Sequence, residues 1–175
     1  MSATASPRDL ARLRRLLSMA GDMLELSEDV LRAQTAVSGW SVLHHLFHLL
    51  LADELSLKAA TNLAAGQGRL LTERGALDPR ARDYLVRGRL PRGVEAPRFV
   101  APPPRPDLAL VRSIHADAAA AALRLEGSWP LAEGPLGIPH QILGVLSGPE
   151  WVRFARMHSA HHLRIARAVR AAAAG

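Results

Sequence analysis

Six of the chain's eight histidines fall in two short clusters. One is His44, His45 and His48, within Trp40-Ser-Val-Leu-His-His-Leu-Phe-His48; the other is His158, His161 and His162, within Met157-His-Ser-Ala-His-His-Leu163. Both clusters sit in apolar stretches, and the chain has no cysteine to share a ligand role. Buried imidazoles need partners for their ring nitrogens. A divalent metal supplies one, because neutral histidine is among its commonest ligands. A three-histidine metal site is the first expectation.

Helical phase sharpens the choice. In the C-terminal segment, Trp151, Phe154, His158, His162, Ile165 and Val169 share one stripe at about 100° per residue. Arg153, Arg156, Arg164, Arg167 and Arg170 take the opposite face. His158 and His162 therefore point inward one turn apart, a spacing at which two imidazoles can meet one ion. His161 lies at the edge of that stripe and is expected to cover the site or bond a neighbouring helix.

The first cluster is harder to phase, because its helix is apolar nearly all round. Ser41 fits an N-cap, which places His44 in the first turn and in water. His48, one turn deeper, is the better third ligand. His45 shares a side with His48 and is expected to support the site from outside, donating to a carboxylate or backbone oxygen. His115 is expected in the core or lining the site, and His140 in a loop as a structural or lid contact. Trp40 and Trp151 are expected as packing residues at helix starts, and Asp53 and Glu54 as solvated or interfacial.

These residues need long elements to carry them, and four helices are legible with no competing strand pattern. The first opens at Ser6-Pro7 and carries Leu10, Leu13, Leu17, Ala20 and Leu24 at spacings of three and four. A short extra turn at Ser27-Glu-Asp29 can follow. The second runs from Gly39-Trp40-Ser41 to about Ala65 and stops at Gly66 and Gly68. The third begins at Pro106-Asp107, presents Val111, Ile114, Ala118, Ala121, Ala122 and Leu125, and ends at Gly127. The fourth starts in the capping box Ser147-Gly-Pro-Glu150 and continues to about Ala174. Between the second and third lies a long Pro/Arg-rich connection, 66–105, with a short helix within 77–90. Such a length predicts that the helices it joins run parallel, or that it covers a site.

Bulk composition limits the function classes. The 175 residues are most simply one domain, 1–175, with 49% hydrophobic content and 22% charged. The longest apolar run, Leu46 to Ala52, is far too short for a membrane span. No secretory signal is visible, and a cytoplasmic location is expected. The net charge of +6 comes from 21 arginines and one lysine, nine of the arginines lying between Arg69 and Arg105. With only 4% aromatic residues there is no stacking platform for bases, which argues against nucleic acid.

The two histidine segments resemble those of the DinB/YfiT-like metal-binding four-helix bundles. Gly39-Trp40-Ser41 with a histidine eight residues after the tryptophan is similar to that family's second-helix signature, and His158-Ser-Ala-His-His162 to its last-helix signature. Leu143-Gly144-Val-Leu-Ser147 resembles the family's approach to the last helix, although Gln141 follows His140 where many members have proline. The resemblance implies an all-α four-helix bundle and, position by position, His48, His158 and His162 as ligands. It also implies homodimers and, in some members, metal-dependent transferase or hydrolase activity involving small thiols.

Three neutral imidazoles would leave a dipositive centre with an open position. Such a centre can acidify water or hold an anionic substrate atom, a thiolate included. Nitrogen donors suit zinc or nickel, with other first-row ions as alternatives. A small-molecule substrate would have to bring any thiol, and Arg87, Arg89 and Arg92 are candidates to bind an anionic one. The competing expectation is a non-catalytic homodimeric bundle whose structural metal is closed by a fourth protein ligand, His45 or His115.

Overall fold

The computed structural model describes residues 6–90, 95–131 and 133–173. The protein is mainly α-helical. In chain order its elements are α1 (Asp9–Leu24), α2 (Glu28–Arg32), α3 (Val42–Ala65), β1 (Thr72–Glu73), α4 (Pro79–Arg87), α5 (Leu108–Glu126), β2 (Leu136–His140), β3 (Gly144–Leu146) and α6 (Gly148–Ala173). The four long helices are those expected from periodicity. The apolar stripe of α1 is buried as Leu10, Leu13, Leu17, Ala20 and Leu24, and that of α5 as Val111, Ile114, Ala118, Ala121, Ala122 and Leu125. Each fully buried leucine of such a stripe contributes about 1.5–3 kcal/mol. No helix among the described residues is long and apolar enough to cross a membrane.

Cross-contacts give the helix directions. Arg14 pairs with Glu126 and Arg112 bonds the Leu24 carbonyl, so α1 and α5 are antiparallel. Arg153 reaches Asp9 while Arg167 reaches Met19, so α1 and α6 are parallel. His45 meets His162 near one end of α3, and Gly148 approaches Ala60 near the other, so α3 opposes α6. It follows that α3 and α5, which pack together, run parallel. The long connection spans this parallel pair, as its length predicts. It also covers the start of α3, where it is held by two histidines described below.

Local chemistry sets the helix ends. Ser41 caps α3 by accepting from the His44 amide. Gly66 closes that helix with φ 62°, a left-handed conformation that favours glycine. The capping box of α6 forms as expected: the Ser147 amide donates to Glu150 Oε2 at 2.8 Å, and the Glu150 amide to Ser147 Oγ at 3.4 Å. Arg74 reaches the same carboxylate oxygen at 2.8 Å. At the other terminus, Ser6 and Asp9 bond each other across Pro7-Arg8, and regular helix begins at Asp9 rather than at Pro7. Ser27 precedes the short helix α2, and Asp78 caps α4 within the 66–105 connection.

One expectation fails. The all-α reading had no place for the three-stranded antiparallel sheet ordered β1-β2-β3. The strands are two, five and three residues long, and β2 contains Pro139, so no alternating pattern was available to betray them. Gly137 makes the pairing sterically feasible: a Cβ there would lie 2.6–2.8 Å from Val145, the Leu146 carbonyl and Arg74. The hairpin matters because it delivers His140 and Leu143 to the face of α6 that carries the histidines.

Candidate metal centre

His48 on α3 and His158 and His162 on α6 each offer a ring nitrogen, and the three atoms lie within 4.8 Å of one another. The His48 and His158 Nε2 atoms are 3.0 Å apart. The ring centroids of His162 lie 4.6 Å from His48 and 4.5 Å from His158. Opposed helices bring the inner stripe of α6 against one turn of α3, as helical phase anticipates for His158 and His162.

The protons around these rings can be placed from their partners. The Val100 carbonyl can only accept, so His48 Nδ1–H donates to it at 2.9 Å and Nε2 carries a bare lone pair. Opposite that lone pair stands His158 Nε2, while His158 Nδ1 is buried with no hydrogen-bond partner. Either His158 donates its only proton to His48, or both rings present lone pairs to a shared cation. Their separation is close to the roughly 3.3 Å expected between two nitrogens on one tetrahedral ion.

His162 is supported from behind. Its Nδ1 lies 3.1 Å from His45 Nδ1, and His45 Nε2 lies 3.0 Å from Ser38 Oγ. When His162 donates to His45 and His45 to Ser38, His162 Nε2 is free for an ion. His45 thus bonds a ring of the group from outside, but its partners are His162 and a serine that sequence reasoning did not single out, not the carboxylate or backbone oxygen expected.

Electrostatics favour neutral rings throughout. Burial pushes the pKa of His48 down and that of His158 far down, the latter reinforced by the neighbouring histidines. Burial followed by the charges of His158, His48, His45 and His161 depresses His162 strongly. His45 falls to about 4, chiefly by desolvation. Neutral nitrogen donors are what a divalent ion requires, so the residues present fit such an ion.

Other expected residues are placed differently. His44 is not simply wet: Nε2–H donates to the Pro104 carbonyl at 3.2 Å and Nδ1 accepts from Ser41 Oγ at 2.7 Å. With His48 it ties residues 100–104 over the start of α3. His161 is buried on the cavity wall, its ring 5.0 Å from His162. His115 does not join the site. Its Nε2–H donates to the Leu17 carbonyl at 2.9 Å, and its ring packs on Gly21 between α5 and α1. Asp53 is fully buried rather than solvated, because an apolar-all-round helix gave no outward face; it accepts from Ser159 of α6. Glu54 is half-buried.

Beside the histidines opens a cavity of about 530 Å³. Two residues expected to be structural help to form it. Trp40 stands 5.3, 5.1 and 6.1 Å from the rings of His45, His48 and His162, walling the cluster. His140 lines the cavity, with Nδ1 accepting from the Ile142 and Leu143 amides at 3.2 Å each. That fixes its proton on Nε2, and burial lowers its pKa to about 4. Trp151 packs as expected, on His140 and Phe154. Arg87 is exposed and bonded to Asp83, Arg89 is exposed, and neither lines the cavity. Arg92 lies outside the described residues. Compared with protein-family models, curated proteins and solved structures, the chain matches none.

Proposed function

We propose that this protein is a metal-dependent enzyme of the DinB/YfiT-like four-helix-bundle type, a transferase or hydrolase acting on a small molecule. The observation that carries the reading is the position of the His48–His158–His162 group on the wall of a cavity. A metal held only for structure is normally enclosed by four protein ligands. Here the group numbers three among the described residues, and His45 has both ring nitrogens engaged elsewhere. That favours the catalytic reading over a closed structural site.

A zinc or nickel ion at these nitrogens would supply Lewis acidity at the open position. The chain's own residues do the rest. Val100 and His45 orient His48 and His162, Trp40 and Phe154 limit water on two sides, and His140 offers an Nε2–H donor from the wall.

Metal analysis of untagged protein purified without added metal tests this, with His158→Ala as control. About one zinc or nickel ion per chain is expected in the wild type and almost none in the variant. Ester hydrolysis and thiol transfer, assayed on metal-stripped and reloaded protein, should follow the metal content. Equal metal in both proteins, or activity indifferent to metal, overturns the reading.

A further inference from the structure

The wall of the cavity beside the histidines is largely apolar. Leu90, Leu143, Phe154 and Ile165 line it next to the histidines, Phe154 stacking on His158, and Tyr84, Glu95 and Gln141 add polar atoms elsewhere in it. Val37 and Ile142, which also line the cavity, are 42% and 54% exposed and carry its apolar lining out to the surface. Among the described residues, Glu95 is the one charged side chain in the wall, and no arginine or lysine contributes. The Glu95 carboxylate opposes an anionic ligand rather than attracting one. A pocket for a carboxylate- or phosphate-bearing ligand would place cations where the ligand's charge lies.

The volume, about 530 Å³, is in the range that holds a small organic molecule rather than one or two waters. We propose that the cavity receives a small molecule with an uncharged, apolar body, oriented so that its one metal-directed atom lies at the histidine end. The orientation rests on the proposed metal site, whereas the apolar selectivity rests on the wall alone.

Isothermal titration with two thiols that differ only in their bodies separates these. Benzyl mercaptan and mercaptosuccinate are titrated into zinc-loaded and metal-stripped protein. Benzyl mercaptan is expected to bind at least about tenfold tighter in both states, from burial of the ring. Zinc should further tighten it. If the metal reading fails, the zinc increment vanishes and the order of the two probes remains. Binding of neither probe, or mercaptosuccinate binding as tightly as benzyl mercaptan, overturns the proposal. Ile142→Arg sits on the exposed rim, where folding tolerates it, and should narrow the preference at least about tenfold. An unchanged preference in that variant would remove the ligand from this mouth.

Discussion

His48 Nδ1–H donates to the Val100 carbonyl at 2.9 Å, and this one bond ties the long connection to the candidate metal centre. It fixes which nitrogen of His48 faces His158, and it holds the 97–104 stretch over the start of α3. Val100 and Ala101 in turn donate their amides to the Pro97 carbonyl, so the turn and the histidine support each other. His48→Ala should therefore loosen more than the metal site. Amide exchange at Val100 and Ala101, followed by mass spectrometry in metal-free protein, should accelerate about tenfold or more, the loss of one buried hydrogen bond. Unchanged exchange would mean that the connection is held by other contacts.

Ser38 is the far end of the relay that faces His162. Its Oγ takes the Trp40 amide and lies 3.0 Å from His45 Nε2. Ser38→Ala leaves a His45 Nε2–H without an acceptor. The ring then favours the other tautomer, which donates to His162 Nδ1 and pushes that ring's proton onto the nitrogen an ion needs. Zinc affinity should fall about 10- to 100-fold, as is common when such outer support is removed. Competition against a chromophoric chelator measures it, and Ser38→Thr should restore most of the affinity. Full affinity in the alanine variant would show that the relay does not orient His162.

Much of this was legible along the chain, and the divide between what was and was not is physical. Where a helix has one apolar stripe, as in α1 and α6, phase placed Leu13, His158 and His162 correctly. Where α3 is apolar on every side, phase carried no information, and Asp53, expected to be solvated or interfacial, is buried within the chain against Ser159. Caps were readable because Ser41, Ser147 and Glu150 act over three residues. His140 and Ser38 were not, since His140 reaches the site on a short hairpin strand and Ser38 through a turn bridged to Thr35, neither of which has a readable periodicity. Trp40 looked like a packing residue because only His45 and His48 of its ring partners are near in sequence, while His162 comes from the far end of the chain.

Asp53 gives a prediction of opposite sense to a normal carboxylate. Complete burial raises its pKa well above the usual range, and the Ser159 hydroxyl offsets this only in part. Its other oxygen, Oδ1, has no partner. The folded state therefore holds the proton more tightly than the unfolded chain. Stability is fully present below the carboxyl's unfolded pKa and is lost as pH rises toward the folded one. Asp53→Asn removes that penalty, so its melting temperature should match the wild type in acid and exceed it above neutral pH. Ser159→Ala, which strips the one donor, should cost about 1–3 kcal/mol. An Asp53→Asn protein that loses stability with rising pH as the wild type does would refute the buried-proton account.

The histidines act in the other direction. His45 and His140 are pushed down to about 4, both chiefly by burial, while the unfolded chain titrates them at 6.5. Above 6.5 both states are neutral, and these groups contribute no pH dependence. Between about 6.5 and 4 the unfolded chain takes up protons that the folded state refuses. Metal-free protein should then lose about 1.4 kcal/mol per pH unit for each of the two rings. Urea midpoints at pH 7, 6 and 5 report the slope. His140→Gln should flatten it by one ring's share, because a glutamine there has no proton to refuse. A bound ion adds a nearly constant increment rather than a steeper slope, because burial already keeps His48, His158 and His162 from taking up protons in the metal-free fold. Zinc-loaded and stripped protein should lose stability in parallel between pH 6.5 and about 5. A steeper loss in the loaded protein would show that the ligand rings take up protons once the ion is gone.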